Sequence, residues 1–224
     1  MEDNENIARI TIVHQALEEL SDKMVFVGGA TVSLYTDRPS SEIRPTDDVD
    51  IVVAWQSLRS MRSLKTWKKE FVNDIHSSII CRYIIKDIPV DVMPVKEDIL
   101  GFKNEWYPEG CKHAIEFRLD EQITIRLFSL PYFLASKLDA FNDRGGDGRF
   151  SKDLEGIVHV LNNRTTVWHD MENCAADVME YMKEKFGLLL KNPSIEEWRS
   201  CHLEHSQRGR LKYIIEGLKN FCRL

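Results

Sequence analysis

In the stretch VGGATVSLYTDRPSSEIRPTDDVDIVV, residues 27–53, Asp47, Asp48 and Asp50 lead into an apolar run. A carboxylate buried alone is too costly for a domain to carry, so each must be solvated, paired or bound to a cation. Residues two apart in a strand point the same way, which puts Asp48 and Asp50 on one face and Asp47 and Val49 on the other. Two carboxylates on one face repel unless a cation lies between them, and hard oxygen ligands suit Mg2+, which also bridges substrate phosphates. The later run IPVDVMPV sets Asp91 singly among apolar residues. A third carboxylate on a neighbouring strand would complete a one- or two-metal site for in-line phosphoryl or nucleotidyl displacement. Ahead of the aspartates, Gly28 and Gly29 close a short apolar strand and open a helix-like run, a junction whose backbone amides favour phosphate.

The elements that must position these groups are legible as periodicities. NIARITIVHQALEELSD has helical spacing, MVFVGG is a short buried strand, and DVDIVVAW is a strand rich in branched and aromatic residues. QSLRSMRSLKTWKKEFVNDI reads as one amphipathic helix. Two hairpins follow: IICRYII with IPVDVMPV, turning at Lys86 and Asp87, and HAIEFRL with ITIRLFS, turning at Asp120 and Glu121.

From Ser129 the pattern is helical. SLPYFLASKLDAFNDR precedes the loop GGDGRF, SKDLEGIVHVLNN has Ser151 as its cap, and HDMENCAADVMEYMKEKFGLLL reads as one long helix. PSIEEWRSCHLE opens with a capping box from Ser194 to Glu197, and a basic helix closes the chain. The expected organisation is an α+β core over 1–128 and a helical lobe over 129–224, packed on the core with any cleft between them suited to a ligand.

Composition narrows the function. The 224 residues are 43% hydrophobic and 29% charged, with a formal charge of -6, which argues against a protein that coats nucleic acid non-specifically. Local basic runs exist at 58–69 and 207–224, each with five Lys or Arg, and read first as solvated helix faces. The five cysteines, at 81, 111, 174, 201 and 222, form no CxxC pair, so neither a disulfide framework nor a zinc cluster is indicated and a reducing cytoplasm is expected. The polar N-terminus is no signal peptide and no apolar run is long enough to span a membrane, so no membrane partner is expected.

Other groups have a bland reading beside a chemical one. His202 and His205 have a spacing that binds metal but lack a third ligand nearby. Trp67, Trp106, Tyr107 and Trp198 are base-stacking candidates that more often fill cores. Arg144, Asp147 and Arg149 lie in a loop of the kind that is commonly polar.

Gly28-Gly29, Asp48-Val49-Asp50 and Asp91 in PVDVMPV together resemble the nucleotidyltransferase superfamily related to DNA polymerase β. Over most of residues 24–160 the segments GGATVSLYTDR, RPTDDVDIVV, VDVMPVKEDILGFKNEWYPEG, YFLASKLDAFNDRGG and SKDLEGIV are similar to the AbiEii/AbiGii-type toxin nucleotidyltransferases. The resemblance implies an α+β fold: a nucleotidyltransferase-type mixed β-sheet with flanking helices, followed by a C-terminal helical lobe. It also implies roles: Gly28 and Gly29 on the triphosphate, Asp48 and Asp50 on Mg2+, Asp91 as the third carboxylate, Lys137 on nucleotide phosphate, and Asp153 as the acid of the last motif. Arg44 and Thr46 stand where such proteins often carry Arg and a small hydroxyl residue before the Asp pair. Two departures are visible. Asp48 follows Gly29 by nineteen positions, longer than usual, so that DRPSSEIRPT is expected to reach over the site. The last motif often has a second Asp three residues on, where this chain has Gly156, which leaves Asp153 and Glu155 both as the helical acid.

The implied function is Mg2+-dependent transfer of NMP from ATP or another NTP to an acceptor hydroxyl, on a tRNA 3′ end or a protein, with a cognate antitoxin as partner. Two readings stand beside it. One is a nucleotidyltransferase for a small hydroxyl compound such as an aminoglycoside, with Glu105, Glu109 and Glu116 as acceptor-pocket candidates. The other is a catalytically silent nucleotide-binding or partner-binding module.

Overall fold

The computed structural model describes residues 5–38, 44–54, 57, 60–63, 65–95, 104–203 and 205–223. By their contacts they divide into two units, Met1–Thr31 with Glu42–Ser129, and Val32–Ser41 with Leu130–Leu224. The stretch Val32–Ser41 thus groups with the later helices, not with the half of the chain in which it lies.

The first unit begins with α1 (Glu5–Leu17), which buries Asn6 along with Ile10, Val13, Ala16 and Leu17. A 3-10 turn leads to β1 (Met24–Val27), buried at every position. Beyond a second 3-10 segment, Gly29–Tyr35, come β2 (Val49–Val53), α2 (Lys65–Glu70), β3 (Val72–Asn73), β4 (Arg82–Ile85) and β5 (Ile88–Pro94). Then follow α3 (Tyr107–Lys112), β6 (Ile115–Arg118) and β7 (Thr124–Leu127). The strands make one seven-stranded mixed sheet in the order β3-β4-β5-β2-β1-β7-β6. β2 runs parallel to β5 and antiparallel to β1, while β1 runs parallel to β7.

Both hairpins turn where the sequence places them. Lys86 and Asp87 adopt left-handed φ of 49° and 63°, which suits a two-residue turn matched to the twist of its strands. That turn sets Ile85 opposite Ile88 and, counting outward, Arg82 opposite Asp91.

The helix expected over 56–75 is interrupted and shorter: residues 57, 60 and 61 are helical, a turn follows at 62–63, and the helix resumes as α2. α2 stops at Glu70, and Val72–Asn73 pairs with β4 as the edge strand of the sheet. Phe71 stacks on Trp67 with ring centroids 3.8 Å apart; this packing and the β-ladder outweigh continued helical periodicity. Trp55, at the end of the predicted strand, lies outside the described residues.

The second unit contains α4 (Leu130–Arg144), α5 (Lys152–Asn163), α6 (Val167–Glu172), α7 (Ala176–Leu190), α8 (Ile195–Cys201) and α9 (Leu211–Cys222). Ser151 caps α5 by accepting from Leu154 N. The single long helix expected over 169–190 is broken instead into α6 and α7. Asn173 Nδ2 and Cys174 Sγ bond back to the carbonyls of His169 and Met171, local side-chain bonds of the kind that compete with a continuing helix. At α8 the expected capping box gives way to an ion pair, since Glu197 lies 3.1 Å from Arg149 and Ser194 N donates to Asn192 Oδ1. No helix among the described residues is long and apolar enough to cross a membrane, and the five cysteines are free thiols.

Candidate active site

Strand register brings three charged side chains to one level of the sheet. Asp91 of β5 pairs with Asp50 of β2 on one side and with Arg82 of β4 on the other. Residues paired across a ladder share a face, so Arg82, Asp91 and Asp50 stand in a row, with Asp48 two positions before Asp50. The row continues to Val27 of β1, paired with Asp50, and so to the Gly28 turn.

Gly28 and Gly29 are where the backbone must come close. Gly28 has φ +76°, and a Cβ there would lie 1.9 Å from Asp50 Oδ2. The Asp50 carboxylate therefore rests over the Gly28 Cα, a position that any other residue would block. A Cβ on Gly29 would come 2.7 Å from Thr46 Cγ2, which sets Thr46 against the same turn.

Thr46 is held by Asn6, a residue that sequence reasoning passed over. Buried Asn6 accepts from Thr46 N at 2.9 Å and donates to the Arg44 carbonyl at 3.3 Å. The Thr46 hydroxyl donates to the Asp48 carbonyl at 2.8 Å. The approach to Asp48 is thereby pinned to α1 from forty positions away. Of the loop expected to reach over the site, 39–43 lie outside the described residues. Its start is tied to the second unit, where Asp37 accepts from Thr165 N and Oγ1.

Arg82 is the second residue that was missed. Its Nε and Nη2 donate to both Asp91 oxygens, at 2.7 and 2.9 Å, and Nη2 also reaches the Asp48 carboxylate. The hydrogen bond to Asp91 raises the pKa of the guanidinium above its usual value, burial opposing. The neighbouring Cys81 thiol is pushed up to about 12, by burial first and then by the Asp91 charge. Counting outward from the Lys86-Asp87 turn would have revealed Arg82, because hairpin register alone sets it opposite Asp91.

The donor set suits Mg2+ in kind, being three carboxylates on one face of adjacent strands beside a turn shaped for close approach. No group of three or more His, Cys, Asp or Glu side chains among the described residues already converges as a metal cluster; two of the three carboxylates are drawn to Arg82. Arg82 also lines an open groove of about 580 Å³ with Arg62, Asn73, Asp74, Ile75 and Tyr83.

Lys137 and Asp153 meet in the second unit. Lys137 Nζ of α4 lies 3.0 Å from Asp153 Oδ1 of α5, and Arg144 Nη1 lies 2.5 Å from Oδ2. The Asp153 side chain is 4% exposed, so its charge is sustained by two cations. A Cβ on Gly156 would meet Val32 Cγ2 at 3.3 Å and Lys137 Cε at 3.9 Å; a side chain at this motif position would press on Val32.

Other candidates have structural partners. His202 Nε2 lies 2.7 Å from the Gly148 carbonyl, and the His205 side chain lies outside the described residues. Trp67 and Trp106 are buried, Tyr107 packs edge-on against Phe128, and Trp198 packs against Phe141. Glu109 is paired with Lys112, and Glu116 stands opposite Arg126 in the β6–β7 ladder. Arg149 is engaged by Asp147. In α9 the apolar side chains Ile214, Leu218 and Phe221 are buried while Lys212 and Lys219 face solvent.

No protein-family model matches the chain, and no curated protein matches it in sequence. Among solved structures it is similar to the crystal structure of an antigenic nucleotidyltransferase-like protein from Paracoccidioides brasiliensis. The TM-score is 0.51 at 17% identity, over 91% of this chain and 96% of that one. The chain therefore has a nucleotidyltransferase-like α+β fold.

Proposed function

We propose that the chain is a Mg2+-dependent nucleotidyltransferase that moves NMP from an NTP to an acceptor hydroxyl. One observation carries this reading: Asp48, Asp50 and Asp91 share a face of adjacent strands directly beside the Gly28 turn, on a nucleotidyltransferase-like fold.

In this reading the residues divide the work. Gly28 and Gly29 offer the triphosphate backbone amides at a turn that carries no side chain of its own. Asp48 and Asp50 hold Mg2+. Bound there, Mg2+ supplies positive charge against the triphosphate and the leaving pyrophosphate. Asp91 accepts the proton of the attacking hydroxyl. The acceptor oxygen bonds the α-phosphorus, the bond to the β-phosphate oxygen breaks with its electron pair, and pyrophosphate leaves. Asn6 and Thr46 keep the backbone before Asp48 in one position, so that orientation is fixed before substrate arrives. From the resemblance, Lys137 is assigned to nucleotide phosphate, with Asp153 holding its ammonium group in place.

The acceptor proposed is a macromolecule, a tRNA 3′ end or a protein side chain, as for an AbiE-type toxin with a cognate antitoxin. Glu109, a candidate for holding a small cationic acceptor, is already paired with Lys112, which favours the macromolecular acceptor. Free thiols support a reducing cytoplasmic location.

The test is incubation of the protein with each α-labelled NTP, Mg2+ and a mixture of total RNA and protein, followed by separation of products. Label on RNA or on protein identifies the acceptor. Label on neither, with Mg2+-dependent NTP binding intact, favours the silent module.

A further inference from the structure

Two of the three carboxylates of this candidate metal site, Asp48 and Asp91, are held by Arg82. Arg82 takes both oxygens of Asp91 and reaches Asp48 as well. This is no surface pair, since the Arg82 and Asp91 side chains are 17% and 10% exposed. A guanidinium has five donors and no lone pair to offer a metal, and it cannot yield its place by losing a proton. A hard cation needs the same carboxylate lone pairs, and two positive charges at one carboxylate repel. The two cations are therefore alternatives. Arg82 also lines an open groove whose wall carries another carboxylate, Asp74.

We propose that Arg82 is a positioning residue that competes with the divalent cation for Asp48 and Asp91. Loading of the cation turns the guanidinium off the carboxylates toward the groove. The inference rests on the metal reading of the three aspartates, and it adds an exchange of one cation for another at their oxygens.

The probe is Mn2+, titrated against wild type, Arg82→Gln, Arg82→Lys and Asp50→Asn, with free Mn2+ read by electron paramagnetic resonance. Arg82→Gln should bind at least about tenfold more tightly than wild type, a gain of about 1.4 kcal/mol. Arg82→Lys, which keeps the charge and loses the fork, should fall between them. A merely structural arginine would leave the affinity unchanged or lower it when removed. In wild type, the 15N–1H signal of Arg82 Nε, assigned with Arg82→Lys, should shift on adding Mg2+, a readout that does not depend on Arg82→Gln folding. Equal or weaker Mn2+ binding by Arg82→Gln, with binding lost in Asp50→Asn, overturns the competition and leaves the metal reading standing. An Arg82 signal unmoved at saturating Mg2+ overturns it likewise. No Mn2+ binding by wild type or Arg82→Gln overturns both.

Discussion

Gly28 and Asp50 approach so closely that a Cβ on Gly28 would lie 1.9 Å from Asp50 Oδ2, with Gly28 held at φ +76°. Turn and carboxylate are one structural feature, the glycine providing the room that the aspartate fills. Gly28→Ala should cost about 2–5 kcal/mol from left-handed backbone and overpacking together. It should also displace Asp50 and lower nucleotide transfer by at least about 100-fold, near 2.7 kcal/mol of transition-state stabilisation. Thermal unfolding and transfer measured on one preparation check this. A variant with wild-type melting and transfer would mean that the turn tolerates a side chain.

Asn6→Ala tests the distant anchor of the Asp48 approach. It removes an acceptor from the buried Thr46 amide, at a cost of about 1–3 kcal/mol, and a donor from the Arg44 carbonyl. The expected outcome is a Tm lower by roughly 2–12 °C, with a fall in transfer at saturating NTP that exceeds the change in KM. A change in KM alone would place Asn6 in nucleotide binding instead.

These two anchors differ in how far the sequence disclosed them. The Gly pair, the Asp48 and Asp50 alternation and the β4–β5 hairpin are local patterns, each set by period or turn chemistry within a few residues. Arg82 was legible in principle from the hairpin register. Asn6 was not, because its partners lie about forty positions away, and nothing in α1 distinguishes a polar residue that faces an inner loop from one that faces water. The end of α2 was hidden for a similar reason: Val72 and Asn73 become strand by pairing with β4, a tertiary contact that outweighs local propensity. At Ser194 the capping-box pattern was present, but Glu197 had a stronger partner in Arg149.

Asp153 and Lys137 separate structure from function in the second unit. Asp153→Asn should destabilise by about 3–5 kcal/mol, since it leaves the mostly buried Lys137 ammonium without its counter-charge. Lys137→Met, which loses the charge and keeps the stem, should weaken NTP binding by about tenfold, near 1.4 kcal/mol. Fluorescent-nucleotide titration and thermal melts of the two variants check this. Unaltered NTP affinity in a folded Lys137→Met protein would confine the pair to a structural role.

Cys81 reports whether the carboxylate region stays closed. Its thiol, pushed up to about 12, is almost wholly protonated at pH 8 and is buried, whereas Cys201 is exposed. Iodoacetamide should therefore modify Cys201 within minutes and Cys81 only on unfolding, as read by peptide mass spectrometry. Comparable labelling rates would show that the β4–β5 region opens in the folded protein.

Asp50 joins the glycine turn to the other carboxylates. The most direct measurement is transfer of label from an α-labelled NTP to acceptor by wild type and Asp50→Asn, with Mg2+ and with a chelator. We expect Mg2+-dependent transfer by wild type, and loss of at least about 1000-fold, near 4 kcal/mol, in an Asp50→Asn protein that still melts cooperatively. Transfer that persists in Asp50→Asn, or that is indifferent to the chelator, would contradict the assignment of these aspartates as the catalytic metal site.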